Sequence, residues 1–257
     1  MFNSPLVRRL VRLPLRCLPR QAVVPIVSGR LRGKRWVVGA GQHGYWAGIY
    51  EADKQRQLER LVRRGDCVFD VGANAGFFTL LASELVGPAG RVVAFEPLPR
   101  NLAYLQRHLR MNRAANVRLC AAAVGDTCGT ALFHVHGHHS MGALSPTGTL
   151  PVAVVTLDGF IREEKLSPPH VIKIDVEGAE AAVLQGARDT LTRHRPYILL
   201  SGHGTAQQQL CAAILAELGY ELVLERDGSA DGMYESIAYP RPAPGFGSKL
   251  ASHHESN

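Results

Sequence analysis

From Gly65 onward, short apolar runs alternate with stretches in which apolar side chains recur every third or fourth position. The first pattern is that of strands buried on both faces, and the second that of amphipathic helices. Runs at 67–71, 91–95, 117–124, 171–174 and 197–200 predict five strands. Between them, residues 77–85 read as a helix that stops near Gly87-Pro88. Leu98, Leu102, Leu105 and Leu109 mark a second helix, and residues 179–191 a third. Thr205 with Gln208 fits a capping box for a fourth, ended by Gly219. Residues 220–225 and 233–239 then predict a hairpin. The alternation is interrupted around 130–157, where 131–136 and 152–156 read as strands flanking a loop through His138, His139, Ser140, Met141 and Gly142. This is a β-rich insertion. The Pro-, Gly-, Ser- and His-rich stretch 240–257 predicts a disordered tail.

Buried strands alternating with helices predict an α/β fold, a parallel sheet covered by helices on both faces. Ligands bind such sheets at the carboxyl ends of the strands, where the strand order reverses. Glu96, Asp126, Asp175, Glu177 and His203 all follow predicted strands and so crowd that edge, with Asp70 in the last turn of its own strand. Gly72 and Gly76 bracket a turn that brings backbone close to a ligand, and Asn74 between them tolerates unusual dihedrals. Glu96 comes twenty residues after Gly76, where an acid accepts hydrogen bonds from a ribose diol. A dinucleotide needs G-x-G-x-x-G to seat its pyrophosphate on the helix N-terminus, and G-A-N-A-G-F lacks that spacing. S-adenosyl-L-methionine has no phosphate, and an acid such as Asp70 suits its cationic methionine end. The loop favours the sulfonium cofactor.

The stretches VFDVGANAGFFT, VVAFEPLPRN, AAAVGD, TLDGF, IKIDVEGAE and RPYILLSGHG, in this order, resemble the FkbM family of methyltransferases. The resemblance is strongest over 65–219 and extends weakly upstream through Trp46–Glu51. It implies a Rossmann-like, seven-stranded class I methyltransferase fold, S-adenosyl-L-methionine as cofactor, and O-methylation of sugars, polyketides or other metabolites. By the same resemblance Asp70, Gly72, Asn74, Gly76 and Thr79 surround the methionine end and Glu96 the ribose. Val124, Gly125 and Asp126 lie near the adenine, and Asp175, Glu177 and His203 face the acceptor. The chain departs from the pattern once: Ser201 stands where many relatives end the strand with a glutamate, two residues before the histidine.

Methyl transfer to a hydroxyl needs alignment and a base for the acceptor proton. His203 is the first candidate, because an imidazole titrates near neutral pH, with Asp175 and Glu177 as alternatives. Each has a plainer use: the two acids as helix caps, and His203 as an ordinary loop histidine. His134 and His136 share a strand face but lack an acid to complete a metal site, so no metal is expected. Trp36, Trp46 and Tyr50 are either a pocket wall or core. Two other classes compete with the methyltransferase: an inert fold that binds cofactor or partner, and a nicotinamide-dependent dehydrogenase.

Charge changes the picture at one end only. The chain of 257 residues carries a formal +7, but nine Lys and Arg fall within residues 1–35 and the first acid is Glu51. The remaining 222 residues sum to −2, which argues against duplex nucleic acid. The partner expected is a small-molecule, glycan or glycolipid acceptor. Residues 1–20 read as a short amphipathic basic helix limited by Pro14, either a loosely packed arm or a weak contact with an anionic membrane surface or an acidic partner. No run of 18 apolar residues exists, Arg and Pro interrupt any secretory core, and the five cysteines form no CxxC pair. These features predict a cytoplasmic protein, at most peripheral at the inner membrane surface. The chain divides into a basic arm and lead-in over 1–50, a catalytic domain over 51–239, and the tail.

Overall fold

The computed structural model describes residues 18–135, 142–145, 147–226 and 233–241. The arm over 1–17, His136, His138, His139, Ser140 and Met141, and the tail beyond 241 lie outside the described residues. The elements are β1 (Val23–Pro25), β2 (Arg35–Val37), α1 (His43–Ala47), α2 (Ala52–Leu61), β3 (Cys67–Val71), α3 (Phe77–Val86) and β4 (Arg91–Phe95). There follow α4 (Pro99–Met111), β5 (Val117–Cys120), β6 (Ala123–Val124), β7 (Gly129–Val135), β8 (Gly142–Leu144), β9 (Leu150–Val155) and α5 (Leu157–Glu163). The last are β10 (Val171–Asp175), α6 (Glu180–Gln185), α7 (Arg188–His194), β11 (Tyr197–His203), α8 (Thr205–Glu217), β12 (Tyr220–Arg226) and β13 (Met233–Pro240).

Seven strands form one sheet in the order β12-β13-β11-β10-β3-β4-β5. Only β13 runs against its neighbours; the hairpin it makes with β12 closes one edge. This is the mostly parallel, seven-stranded α/β sheet expected. The chain order reverses between β3 and β10, so their carboxyl ends open the crevice. Strand side chains alternate between faces. Phe69, Val71, Ile172, Ile174, Ile198 and Leu200 pack one core. Val68, Val92, Val171, Leu199 and Ile237 pack the other, with α3 and Leu58 of α2. That second parity also carries Asp70, Lys173, Asp175, Ser201 and Glu235.

Several elements differ from expectation. The helix over 179–191 is two, α6 and α7, broken at Gly186, where a Cβ would fall 2.0 Å from the Gly125 carbonyl oxygen. The strand over 117–124 is also two, and its second half, β6, joins the insertion in a separate four-stranded sheet of order β6-β9-β7-β8. Thr205 caps nothing: Gly204 holds the N-cap of α8 and no side chain bonds there. The strand β11 runs on through His203, so this histidine sits on a strand end rather than in a loop.

The lead-in is part of the core. Ile26, Leu31 and Trp36 are fully buried. Trp36 stacks on His108 of α4 at 3.8 Å. Burial lowers the His108 pKa to about 4, so the ring is neutral, and it accepts from Val37 N–H at Nε2 (3.0 Å) while Nδ1–H donates to the Ala75 carbonyl (2.7 Å). One imidazole therefore ties the lead-in to the glycine loop.

Candidate active site

A cavity of about 1010 Å³ opens at the carboxyl ends of β3 and β10. One end is lined by the loop after β3, by Glu96, Leu98 and Asn101, and by Ala122–Val124. The other is lined by the lead-in from Gly41 to Glu51, by Lys54, and by Asp175, Glu177, His203 and Glu235.

The first end is built from backbone. Gly72 has φ +79°, and a Cβ there would fall 1.9 Å from the Asp175 carbonyl oxygen, so only glycine lets the turn lie against β10. Asn74 takes φ +50°, and its N–H donates to Glu96 Oε2 (2.8 Å). Glu96 Oε1 accepts from Leu98 N–H (2.9 Å) and from Asn101 Nδ2 (3.2 Å). Burial raises the pKa of this carboxyl against the pull of those donors. Glu96 thus latches the glycine loop to the end of β4 while still facing the cavity. Under the loop, Thr79 donates to Asp70 Oδ2 (2.6 Å), and Lys173 reaches Asp70 Oδ1 (3.1 Å) and the Gly72 carbonyl (2.9 Å).

The second end is ionic. Asp175, Ser201 and Glu235 stand side by side across β10, β11 and β13. Over this row comes Lys54 of α2, 2% exposed, its Nζ 2.5 Å from Glu51, 3.1 Å from Asp175 and 3.6 Å from Glu235. Burial works against its charge, but the three carboxylates outweigh burial and raise its pKa. Burial likewise opposes the charge on Asp175, yet Lys54 and Lys173 bring its pKa down to about 2. Ser201 is small and buried, and its hydroxyl has no hydrogen-bond partner among the described residues. The lysine bridges over it from one flanking carboxylate to the other.

Beside this row, His203 Nδ1–H donates to Glu180 Oε1 (2.9 Å), and Nε2 lies 3.5 Å from Glu177 Oε2. Glu180 is fully buried and also accepts from Gly178 N–H (3.1 Å). The bond to Glu180, helped by Glu177 and opposed by burial, raises the His203 pKa. A carboxylate can only accept, so Glu180 fixes the proton on Nδ1 and leaves Nε2 as the basic nitrogen.

The structure brings seven of the expected residues to the cavity wall: Gly72, Asn74, Glu96, Val124, Asp175, Glu177 and His203. Asp70, Gly76 and Thr79 are buried off the wall as supports; a Cβ on Gly76 would meet Leu105 Cδ1 at 2.3 Å. Gly125 packs against Gly186, and Asp126 is exposed. Neither Asp175 nor Glu177 caps α6; Ala179 holds the N-cap position. Trp36 is core, whereas Trp46 and Tyr50 are both core and wall. His134 is exposed, and the described residues contain no group of three His, Cys, Asp or Glu placed to hold a metal. Sequence reasoning missed Glu51, Lys54, Lys173, Glu180 and Glu235. A lysine inside the apolar run VIKI was a signal, because a buried ammonium demands a carboxylate partner.

The family model described as the methyltransferase FkbM domain matches residues 70–223, more than half of the chain. The 31-O-demethyl-FK506 methyltransferase FkbM of Streptomyces tacrolimicus is 32% identical over 162 residues, 50% of this chain and 62% of that protein. The 2-O-methyltransferase NoeI of Sinorhizobium fredii is 27% identical over 201 residues, 69% of this chain and 82% of that one. The hexuronic acid methyltransferase AglP of Haloferax volcanii is 26% identical over 146 residues, 55% and 58% of the two chains. The chain spans less than two thirds of the length of the first curated relatives it matches. Among solved structures, methyltransferase FkbM from Methylobacillus flagellatus shares the fold with a TM-score of 0.53 at 19% identity, over 78% of this chain and 56% of that one. Glycine loop, strand-end acid and seven-stranded sheet thus meet in one chain, which belongs to the FkbM methyltransferase family.

Proposed function

We propose that the chain is an S-adenosyl-L-methionine-dependent methyltransferase acting on a hydroxyl of a small-molecule or glycan acceptor. The observation that carries this reading is the charge of the cavity. Its wall holds two lysines, Lys54 and Lys173, against five carboxylates, Glu51, Glu96, Asp175, Glu177 and Glu235. With its histidines neutral, that is a formal −3, which favours a cationic ligand and opposes a pyrophosphate. The fit is also steric and apolar: the glycine turn leaves backbone rather than side chain at the wall, and Leu98 with Ala122–Val124 offers an apolar face for an adenine. Glu96 accepts the ribose hydroxyls. Bound there, the cofactor supplies an electrophilic methyl on a sulfonium.

This chain's own residues then act on the acceptor. His203 takes the hydroxyl proton at Nε2 while Glu180 holds the ring by Nδ1–H and stabilises the imidazolium. Asp175 is too weak a base for that proton, since two lysines hold it ionised, and it instead accepts a hydrogen bond. The names of NoeI and AglP, a 2-O-methyltransferase and a hexuronic acid methyltransferase, support an acceptor rich in hydroxyls. Titration calorimetry with S-adenosyl-L-methionine, S-adenosylhomocysteine and NAD tests the cofactor. Heat with the first two alone is expected; none with either overturns the reading. Formation of S-adenosylhomocysteine over glycan and metabolite pools then distinguishes an enzyme from an inert binding fold.

A further inference from the structure

The lead-in presents one exposed surface that meets the site only at Ile49. Val23, Pro25 and, two residues on, Val27 are exposed, with Val24 half-buried and Ile26 buried between them. Val27 N–H bonds to the Trp46 carbonyl (3.0 Å), and Ser28 Oγ donates to the Ala47 carbonyl (2.5 Å). These bonds strap the end of the β1 segment to the turn that carries Ile49. Val27 and Ile49 are 54% and 65% exposed, among the most exposed large apolar side chains of the described residues. Ile49 also lines the cavity, so the apolar group stands at its rim. The charged side chains of the hairpin itself are all basic; Lys34 pairs with Glu84 (2.7 Å), and Glu51 lies two residues beyond Ile49. Arg35 pairs with Pro25 across the hairpin, Arg30 and Arg32 project from its turn, and all three are exposed. Among the described residues no carboxylate forms an ion pair with any of them, and residues 1–50 contain no acid at all.

Exposed aliphatics on a hairpin with unpaired arginines do not suit water, and they suit nucleic acid poorly, because phosphate contacts gain nothing from valine or isoleucine. An anionic bilayer answers both features: arginine meets the headgroup phosphates and the aliphatics enter the boundary beneath. We infer that the β1–β2 hairpin and the Ile49 turn dock the cavity mouth on an anionic lipid surface. Taken with the methyl-transfer reading, on which this clause alone rests, the acceptor hydroxyl belongs to a lipid-anchored molecule.

The test is sedimentation of the full chain, without cofactor, with vesicles of phosphatidylcholine alone or mixed with an equal part of phosphatidylglycerol. Binding to the anionic vesicles is expected, weakening with salt. The Arg30→Glu/Arg32→Glu pair should weaken it at least about tenfold, and Val27→Ser/Ile49→Ser several-fold, both with unchanged thermal transitions. Equal binding by both variants and the parent overturns the inference, even if removing residues 1–17 abolishes binding. So does binding to RNA in place of vesicles, or a dimer that the apolar pair dissolves. Because no cofactor is present, these outcomes are separate from those of the calorimetric titration.

Discussion

The two ends of the cavity solve opposite problems. The glycine-loop end is made of neighbours in sequence: Gly72, Asn74 and Glu96 span one βα unit, and the bonds that hold them run largely through main-chain N–H groups. The ionic end gathers Glu51, Lys54, Asp175, Glu180, His203 and Glu235 from five separate elements or their flanks. A site held by backbone is indifferent to most side chains and intolerant of a Cβ. A site held by charge tolerates small changes of shape and fails when one partner is lost.

The sharpest test of the backbone-held end is Gly72→Ala. The added Cβ overlaps the Asp175 carbonyl oxygen and must also be carried at positive φ. Overpacking and backbone strain together cost about 4 kcal/mol, and the loop moves off β10. Chemical denaturation should show that loss, with cofactor heat gone. An alanine as stable as the parent would mean that the loop lies elsewhere.

For the charged end the corresponding change is Lys54→Met, which removes a cation and leaves three carboxylates facing one another. Breaking a buried pair from one side costs about 3–5 kcal/mol. Adding Glu235→Gln to Lys54→Met should recover part of that, because one uncompensated charge leaves with it. The double-mutant cycle reads this coupling directly. Additive effects would show that Glu235, at 3.6 Å, contributes nothing to holding the lysine.

This contrast explains what was legible in the amino-acid sequence. Strands buried on both faces and a glycine turn are local patterns, so the sheet, the loop and Glu96 could be placed from spacing alone. Lys54 and Glu235 lie outside the stretch that matches the family model, and each looks like an ordinary charged residue on a helix or an edge hairpin. Only the sheet register puts Glu235 beside Ser201, and only the packing of α2 lowers Lys54 onto the row. The break in the helix over 179–191 was hidden for the same reason, since it answers to Gly125, 61 residues upstream and just past the end of β6.

A smaller effect is expected at the dyad, where rate rather than stability responds. His203→Gln should lower turnover about 10²-fold, the lower bound for a positioned base. Glu180→Gln takes the negative charge from the partner that most raises the histidine pKa, so the rise of activity with pH should move to lower pH and reach a lower plateau. Linkage supplies a check that needs no substrate. A histidine whose folded pKa lies above 6.5 contributes stability that is complete below 6.5 and lost as pH climbs through the folded value. The stability gap between parent and His203→Gln should therefore narrow as pH is raised across that window. A constant gap would remove His203 from charge pairing with Glu180.

The smallest effect is expected at the residue that looked most suspicious. Ser201 is the one departure from the family pattern, standing where many relatives have a glutamate. In the sheet it sits between Asp175 and Glu235, and the adjacent strand already brings a carboxylate to Lys54 at that level. Its own hydroxyl is buried without a partner among the described residues, and such a group contributes no net hydrogen-bond stability. Ser201→Ala should accordingly lie within about 0.5 kcal/mol of the parent, with cofactor affinity unchanged. A loss of cofactor binding or turnover would mean that the hydroxyl acts on a ligand, and the serine would then be a working part of the site rather than the gap that admits Lys54.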